Sequence, residues 1–145
     1  MDAADESILE ELQKNAKASL RQLARRLGIP LTTIYSRIGR LERNGIIRKY
    51  TVEIDWKRLG YGINAYIFVY VDHPRLKAAR KTQKDIVRML AGLPFVEIAE
   101  IVTGDADIIM KVRAKDTGDL GRLLMRYVQN IDGVEKTKTF VSIEE

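Results

Sequence analysis

The side chains able to do chemistry in this chain are few. One histidine, His73, stands among 145 residues, and there is no cysteine. A thiolate zinc site, an iron-sulfur cluster, a cysteine nucleophile and a metal-holding histidine pair are therefore excluded. Zincin, nucleophile-elbow and phosphate-loop patterns are missing from the sequence. Gly60-Tyr61-Gly62 is a fragment of a dinucleotide fingerprint, but it leads into a strand-like segment where that motif requires a helix. His73, followed by Pro74, reads as a turn cap at a strand end. The sequence calls for no catalytic residue, no metal and no cofactor.

The chemistry that is present is cationic. Lys14, Lys17, Arg21, Arg25, Arg26, Arg37, Arg40, Arg43, Arg48 and Lys49 stand against one acid, Glu42, between Lys14 and Lys49, a local net charge of +9. From Tyr61 onward thirteen basic and twelve acidic residues nearly cancel. Halves this different suggest two domains, the first with a polyanion partner, the alternative being a merely solvated basic face. In the basic half, a helix that turns Ile34, Ile38 and Leu41 inward displays Thr33, Ser36, Arg37, Arg40, Arg43 and Asn44 on its other side, with Thr32 at its start. Arginine bonds guanine bidentately or clamps a phosphate, and Ser and Thr bond either. Lys17, Arg21, Arg25, Arg26, Arg48 and Lys49 on flanking elements would meet phosphates. Tyr35 borders the two faces, and Gly39 is out of place in a helix interior.

Three helices must position these groups. Ile8, Leu9 and Leu12 form the stripe of the first, opened by Asp2, Asp5 and Glu6. Ser19 with Gln22 is a capping box for the second, whose Leu20, Leu23, Ala24 and Leu27 run until Gly28. After the turn Gly28-Ile29-Pro30, Thr32 or Thr33 is expected to cap the third, which ends at Asn44-Gly45. This is helix-turn-helix spacing. The β-like stretch from Ile46 to Ile54 is where a wing would lie.

Residues 55–62 interrupt the pattern as a linker. Beyond them the reading is a strand over 63–71, a helix over about 76–91, strands over 96–102 and 108–112 joined by a hairpin at 103–107, a helix capped by Thr117, and a last strand over 134–143. That β-α-β-β-α-β order is ferredoxin-like. In the first strand Tyr66, Phe68 and Tyr70 oppose Ile63, Ala65, Ile67, Val69 and Val71, so both faces are apolar. A sheet with helices on one side only leaves the aromatic row in water unless a second subunit covers it, which predicts a homodimer through Tyr66, Phe68 and Tyr70.

With 46% hydrophobic and 31% charged residues the chain has the composition of a folded protein of one or two small domains. The acidic N-terminus lacks signal-peptide features, and the longest apolar run, Ala65 to Val71, is far too short to span a membrane. The cytoplasm is the expected location.

Several motifs together resemble the Lrp/AsnC (feast/famine) family of transcription regulators: Asp5-x-x-Ile8-Leu9, Asn15-Ala16-Lys17, Leu23-Ala24-x-x-Leu27-Gly28, Arg37-Ile38-x-Arg40-Leu41-Glu42-x-x-Gly45-Ile46-Ile47, Leu59-Gly60 and Gly104-Asp105-x-Asp107. The resemblance spans essentially the whole chain. It implies an α+β fold, with an N-terminal winged helix-turn-helix (1–54), a linker (55–62) and a C-terminal ferredoxin-like RAM-type domain (63–145) that senses ligand and oligomerises. It further implies binding to double-stranded DNA, a homodimer assembling into tetramers or octamers, and a free amino acid bound between subunits by Gly104, Asp105, Asp107, Thr137 and Thr139. Ala106 departs from the aromatic residue common at its position in the family. Proteins of similar shape include siroheme decarboxylases, which use histidines and basic residues around a tetrapyrrole; a single histidine beside a strongly basic helix-turn-helix argues against that reading. A sensor module without DNA binding is the other alternative, and the basic third helix speaks against it.

Overall fold

The computed structural model describes residues 1–143, which form two compact units, one of residues 1–54 and one beginning at Asp55. In the first unit α1 (Ala3–Lys14), α2 (Leu20–Leu27) and α3 (Leu31–Arg43) enclose Ile8, Leu12, Leu23, Ile34, Ile38 and Leu41. Asp2 and Asp5 make a reciprocal capping box at the start of α1, and Ser19 and Gln22 make another at α2. Gly28 ends α2 in the left-handed region, φ 65°, where a side chain would be strained.

Two local expectations in this unit are corrected. The residue preceding α3 is Pro30, whose carbonyl accepts from the Ile34 N–H at 3.0 Å, so Thr32 and Thr33 lie inside the first turn and cap nothing. The proline ring presets its own φ and blocks continuation of α2, which starts the new helix earlier than a threonine cap would. Residues 46–54 form no strand. A strand needs a partner for its N–H and C=O groups, and the first unit contains none. The segment instead turns back on α3: Ile46 and Ile47 donate to the Leu41 carbonyl, and the Tyr50 hydroxyl donates to Glu42 at 2.8 Å.

The second unit is a four-stranded antiparallel sheet in the order β2-β3-β1-β4, made of β1 (Ile63–Val71), β2 (Val96–Ile101), β3 (Ile108–Ala114) and β4 (Val134–Val141). This is the expected ferredoxin-like order. Ala65, Ile67, Val69 and Val71 of β1, together with Ile108, Met110, Val112 and Ala114 of β3, form the core against the helices. The helix expected over 76–91 is two, α4 (His73–Ala78) and α5 (Gln83–Ala91). Asp72, not His73, caps α4, and Asp85 accepts from both the Thr82 N–H and hydroxyl to open α5. Arg80 lies between them at φ 55°, the left-handed turn that separates the two axes. The helix expected to begin at a Thr117 cap is α6 (Thr117–Leu123), continued by a π-helical turn at Leu124–Val128. Its cap is Asp116, whose carboxylate accepts from the Asp119 N–H at 2.7 Å; a short carboxylate reaches that N–H with a full negative charge at the helix N-terminus.

Residues 55–62, read as a linker, pack on the second unit. The Trp56 ring meets Tyr61 edge-on at 5.6 Å, and the Arg113 guanidinium lies 5.1 Å from its centroid. The Gly62 N–H donates to the Lys115 carbonyl.

Candidate functional site

The basic side of the first unit is built around α3. Thr32, Tyr35, Ser36, Arg40 and Arg43 are exposed, and Thr33 is half-buried. Lys17, Arg21, Arg25, Arg43, Arg48 and Lys49 are exposed and form no ion pair among the described residues. Arg26 pairs with Glu11 at 3.2 Å.

Arg37 departs from the outward face expected of it. Its side chain is 23% exposed, and its Nη1 donates to Asp2 Oδ1 and Oδ2 at 2.7 and 2.8 Å and to Asp5 Oδ1 at 2.8 Å. Arg40 joins from the next turn, its Nη2 donating to Asp5 Oδ2 at 2.8 Å. Asp5 is buried, 1% exposed, so its charge depends on these two guanidinium groups. The Arg37 bond holds both carboxyls below their ordinary range, Asp2 to about 2. In turn the two carboxylates raise the Arg37 guanidinium. Sequence reasoning saw the acids only as helix-start residues. Their pairing with residues some thirty-five positions away is a tertiary contact with no local signal.

In the second unit the turn between β2 and β3 holds Gly104, Asp105 and Asp107. Asp105 accepts from the Tyr70 hydroxyl at 2.7 Å and lies 3.4 Å from the Lys138 ammonium. Those partners hold its carboxyl below the usual range, the phenol having the larger influence. Asp107 accepts from the Val71 N–H at 2.9 Å and from Gln83 at 2.8 Å, and its other contact is His73 Nε2 at 2.8 Å. Thr137 and Thr139 sit opposite Val69 and Ile67, on the helix-covered side of β4. Their strand is separated from β3 by β1, roughly 10 Å in all. Asp105 reaches Tyr70 and Lys138, which leave the sheet on its open side, so within one chain the two threonines and the partners of Asp105 lie on opposite faces.

On the open side of the sheet, strand register aligns Tyr66 with Phe140 and Lys111, and Phe68 with Lys138 and Ile109. Tyr66, Ile98 and Phe140 are exposed on that side, and Phe68 packs on Phe140 at 4.9 Å. Tyr70 is covered. The ammonium groups of Lys136 and Lys138 lie 4.7 and 5.2 Å from its ring centroid. Shielding by long side chains thus operates at Tyr70, while Tyr66 stays open.

A three-helix basic unit followed by an antiparallel sheet unit defines a helix-turn-helix protein with an attached α+β domain. Two family models divide the chain in the same way: a winged helix-turn-helix DNA-binding model matches residues 1–48, and the Lrp/AsnC ligand binding domain matches residues 64–145. The chain belongs to the Lrp/AsnC family of transcription regulators. It is 37% identical over 142 residues to an uncharacterised HTH-type transcriptional regulator of Pyrococcus furiosus, covering 98% of this chain and 92% of that one. A counterpart from Pyrococcus horikoshii is 36% identical with the same coverage. Among solved structures, AsnC of E. coli superimposes with a TM-score of 0.83 at 26% identity, covering 100% of this chain and 93% of AsnC. A feast or famine regulatory protein from M. tuberculosis, solved in complex with L-methionine, shares the fold at a TM-score of 0.86 and 24% identity, covering 99% and 92%. No helix among the described residues is long and apolar enough to cross a membrane.

Proposed function

We propose that the protein is a sequence-specific, double-stranded-DNA-binding transcription regulator that works as a homodimer or a larger even assembly and responds to a free amino acid. The observation that carries this is the face of α3: a helix of groove-fitting width, its Thr32, Ser36 and Arg43 side in solvent, flanked by five more exposed cations that form no ion pair among the described residues. Thr33 and Arg40 border that face, and Lys17, Arg21, Arg25, Arg48 and Lys49 provide sequence-independent attraction to phosphates, with Arg26 able to join them on leaving Glu11. Acting on chromosomal DNA, such a protein works in the cytoplasm.

Dimerisation through the open sheet face is supported by the exposed apolar side chains of Tyr66, Ile98 and Phe140, with Phe68 beneath them and Tyr70 at the rim under its two lysines. An amino-acid site shared between subunits is supported by the spread of its candidate residues. Gly104 and Asp105 lie at one end of the sheet, Asp107 just beyond them, and Thr137 and Thr139 face the other side of the sheet from Lys138, which Asp105 meets, so a second copy is the means by which the two sets would share one ligand. An exposed glycine turn offers N–H groups to an α-carboxylate, and a carboxylate accepts from an α-ammonium. The methionine-bound M. tuberculosis protein is a precedent for that class of ligand on this fold.

The test is selection of duplexes from genomic fragments by the purified protein, with and without a panel of free amino acids, followed by sizing of the complexes. An enriched, roughly two-fold-symmetric site bound by an even number of chains is expected, with at least one amino acid changing affinity or assembly. Uniform binding to all fragments would reject specific regulation, and indifference to every amino acid would leave Gly104, Asp105, Asp107, Thr137 and Thr139 with structural roles only.

A further inference from the structure

The positive charges of α3 are not all on the side that can enter a groove. With Ile34, Ile38 and Leu41 buried and successive residues about 100° apart, Ser36, Gly39, Arg43 and Thr32 fall on the far side, whereas Arg37 falls beside the buried stripe. Its guanidinium already donates to three carboxylate oxygens, and one of those acids is 1% exposed. To reach a base, Arg37 would have to give up both Asp2 and Asp5 and leave a buried carboxylate with Arg40 as its one guanidinium partner, a cost that disfavours the move. The acids are themselves fixed, since each caps the other's backbone N–H at the start of α1. Arg37 therefore joins the first turn of α1 to the middle of α3.

Gly39 supplies an independent observation. A Cβ placed there would meet only the Arg43 guanidinium, at 3.2 Å, and nothing of α1 or α2. Packing within the domain thus gives no reason for a glycine, and helix propensity disfavours one. What the missing side chain leaves is bare helix backbone on the outward side.

We propose that Arg37 is a positioning residue, clamped through Asp2 and Asp5 to set α3 on α1, and that bases are read from the Thr32, Ser36 and Arg43 side, where Gly39 lets the helix backbone approach the groove closely. This deepens the DNA-binding reading and rests on it.

The experiment uses the full-length chain and the duplex enriched by the wild type, together with an unrelated duplex. Binding, base preference at each position and thermal midpoint are measured for Asp5→Asn, Arg37→Ala, the double variant, Gly39→Ala and Ser36→Ala. Asp5→Asn and Arg37→Ala are expected to lower the midpoint, with the double variant losing no more than the worse single one. They should also weaken both duplexes in the same proportion and leave base preference unchanged. Gly39→Ala should raise the midpoint yet weaken the selected duplex by about tenfold. Ser36→Ala should alter preference at one base and leave the midpoint in place. Should Arg37→Ala fail to fold, Asp2→Asn serves in its place, because that carboxylate is exposed.

A relaxed preference at one base for Arg37→Ala with an unchanged midpoint would overturn the clamp, and wild-type affinity in Gly39→Ala would overturn the groove approach. If the wild type prefers no duplex at all, it is the DNA-binding reading that fails. The melts then judge the clamp alone, and additive losses for Asp5→Asn and Arg37→Ala would reject it.

Discussion

Two single positions show how tightly local chemistry is set. Gly133, at φ 98°, lies under α4 so closely that an added Cβ would collide with Leu76 Cδ2. Gly133→Ala should cost about 1–3 kcal/mol through overpacking and backbone strain together, read by urea unfolding. Asp107 ties the end of β1 to α4 and α5 through Val71, His73 and Gln83. Asp107→Asn should destabilise the apo protein by about 1–3 kcal/mol, since a carboxamide cannot accept from all of these donors. An unchanged melt would instead leave Asp107 free for a ligand. Sequence pointed to Asp107 through its motif but carried no sign of the three partners, which come from a different strand and two helices.

Among the elements, α1 and α3 depend on each other through their charges. Asp2 is held at about 2 in the folded protein against 3.8 ordinarily, and Asp5 is lowered as well. A depressed carboxyl stabilises the fold above its unfolded value, and that contribution disappears as protons return. The first unit should therefore lose stability as pH falls from about 4 to about 2, seen as a declining thermal midpoint in far-UV circular dichroism. Asp2→Asn should flatten that decline. If it melts with the wild-type slope, the acid dependence belongs to other carboxyls. The break between α4 and α5 also belongs to this scale. The apolar spacing from Leu76 to Leu90 reads as one helix because both helices bury a stripe on the same core, and the Thr82–Asp85 contacts that open α5 lie inside that spacing.

For the whole molecule, the open sheet face and the basic unit make separate claims on solution behaviour. Tyr66→Glu with Phe140→Glu should shift the protein towards monomer in analytical ultracentrifugation and weaken operator binding, because a two-fold site then loses its second contact. A dimer that survives both charges would have to associate elsewhere. Binding should also fall with added salt, the logarithmic slope growing by about 0.9 for each phosphate neutralised. Charge reversal at Arg21 and Arg25 should reduce that slope without changing base preference.

What local sequence alone determined was the helix-turn-helix spacing, the capping box at Ser19, the β1 span and the alternation of its two faces. Each follows from contacts within a turn or two, or from a side-chain period that the backbone imposes. The basic surface was legible for the same reason, since charge is counted along the chain. Tertiary structure alone decided the rest: that Ile46–Ile54 forms no strand, that residues 55–62 pack on the second unit, that Tyr70 is covered, and that Arg37 faces Asp2 and Asp5. These outcomes depend on which surfaces meet across long chain separations, where the energy lies in burial and pairing that no local pattern encodes.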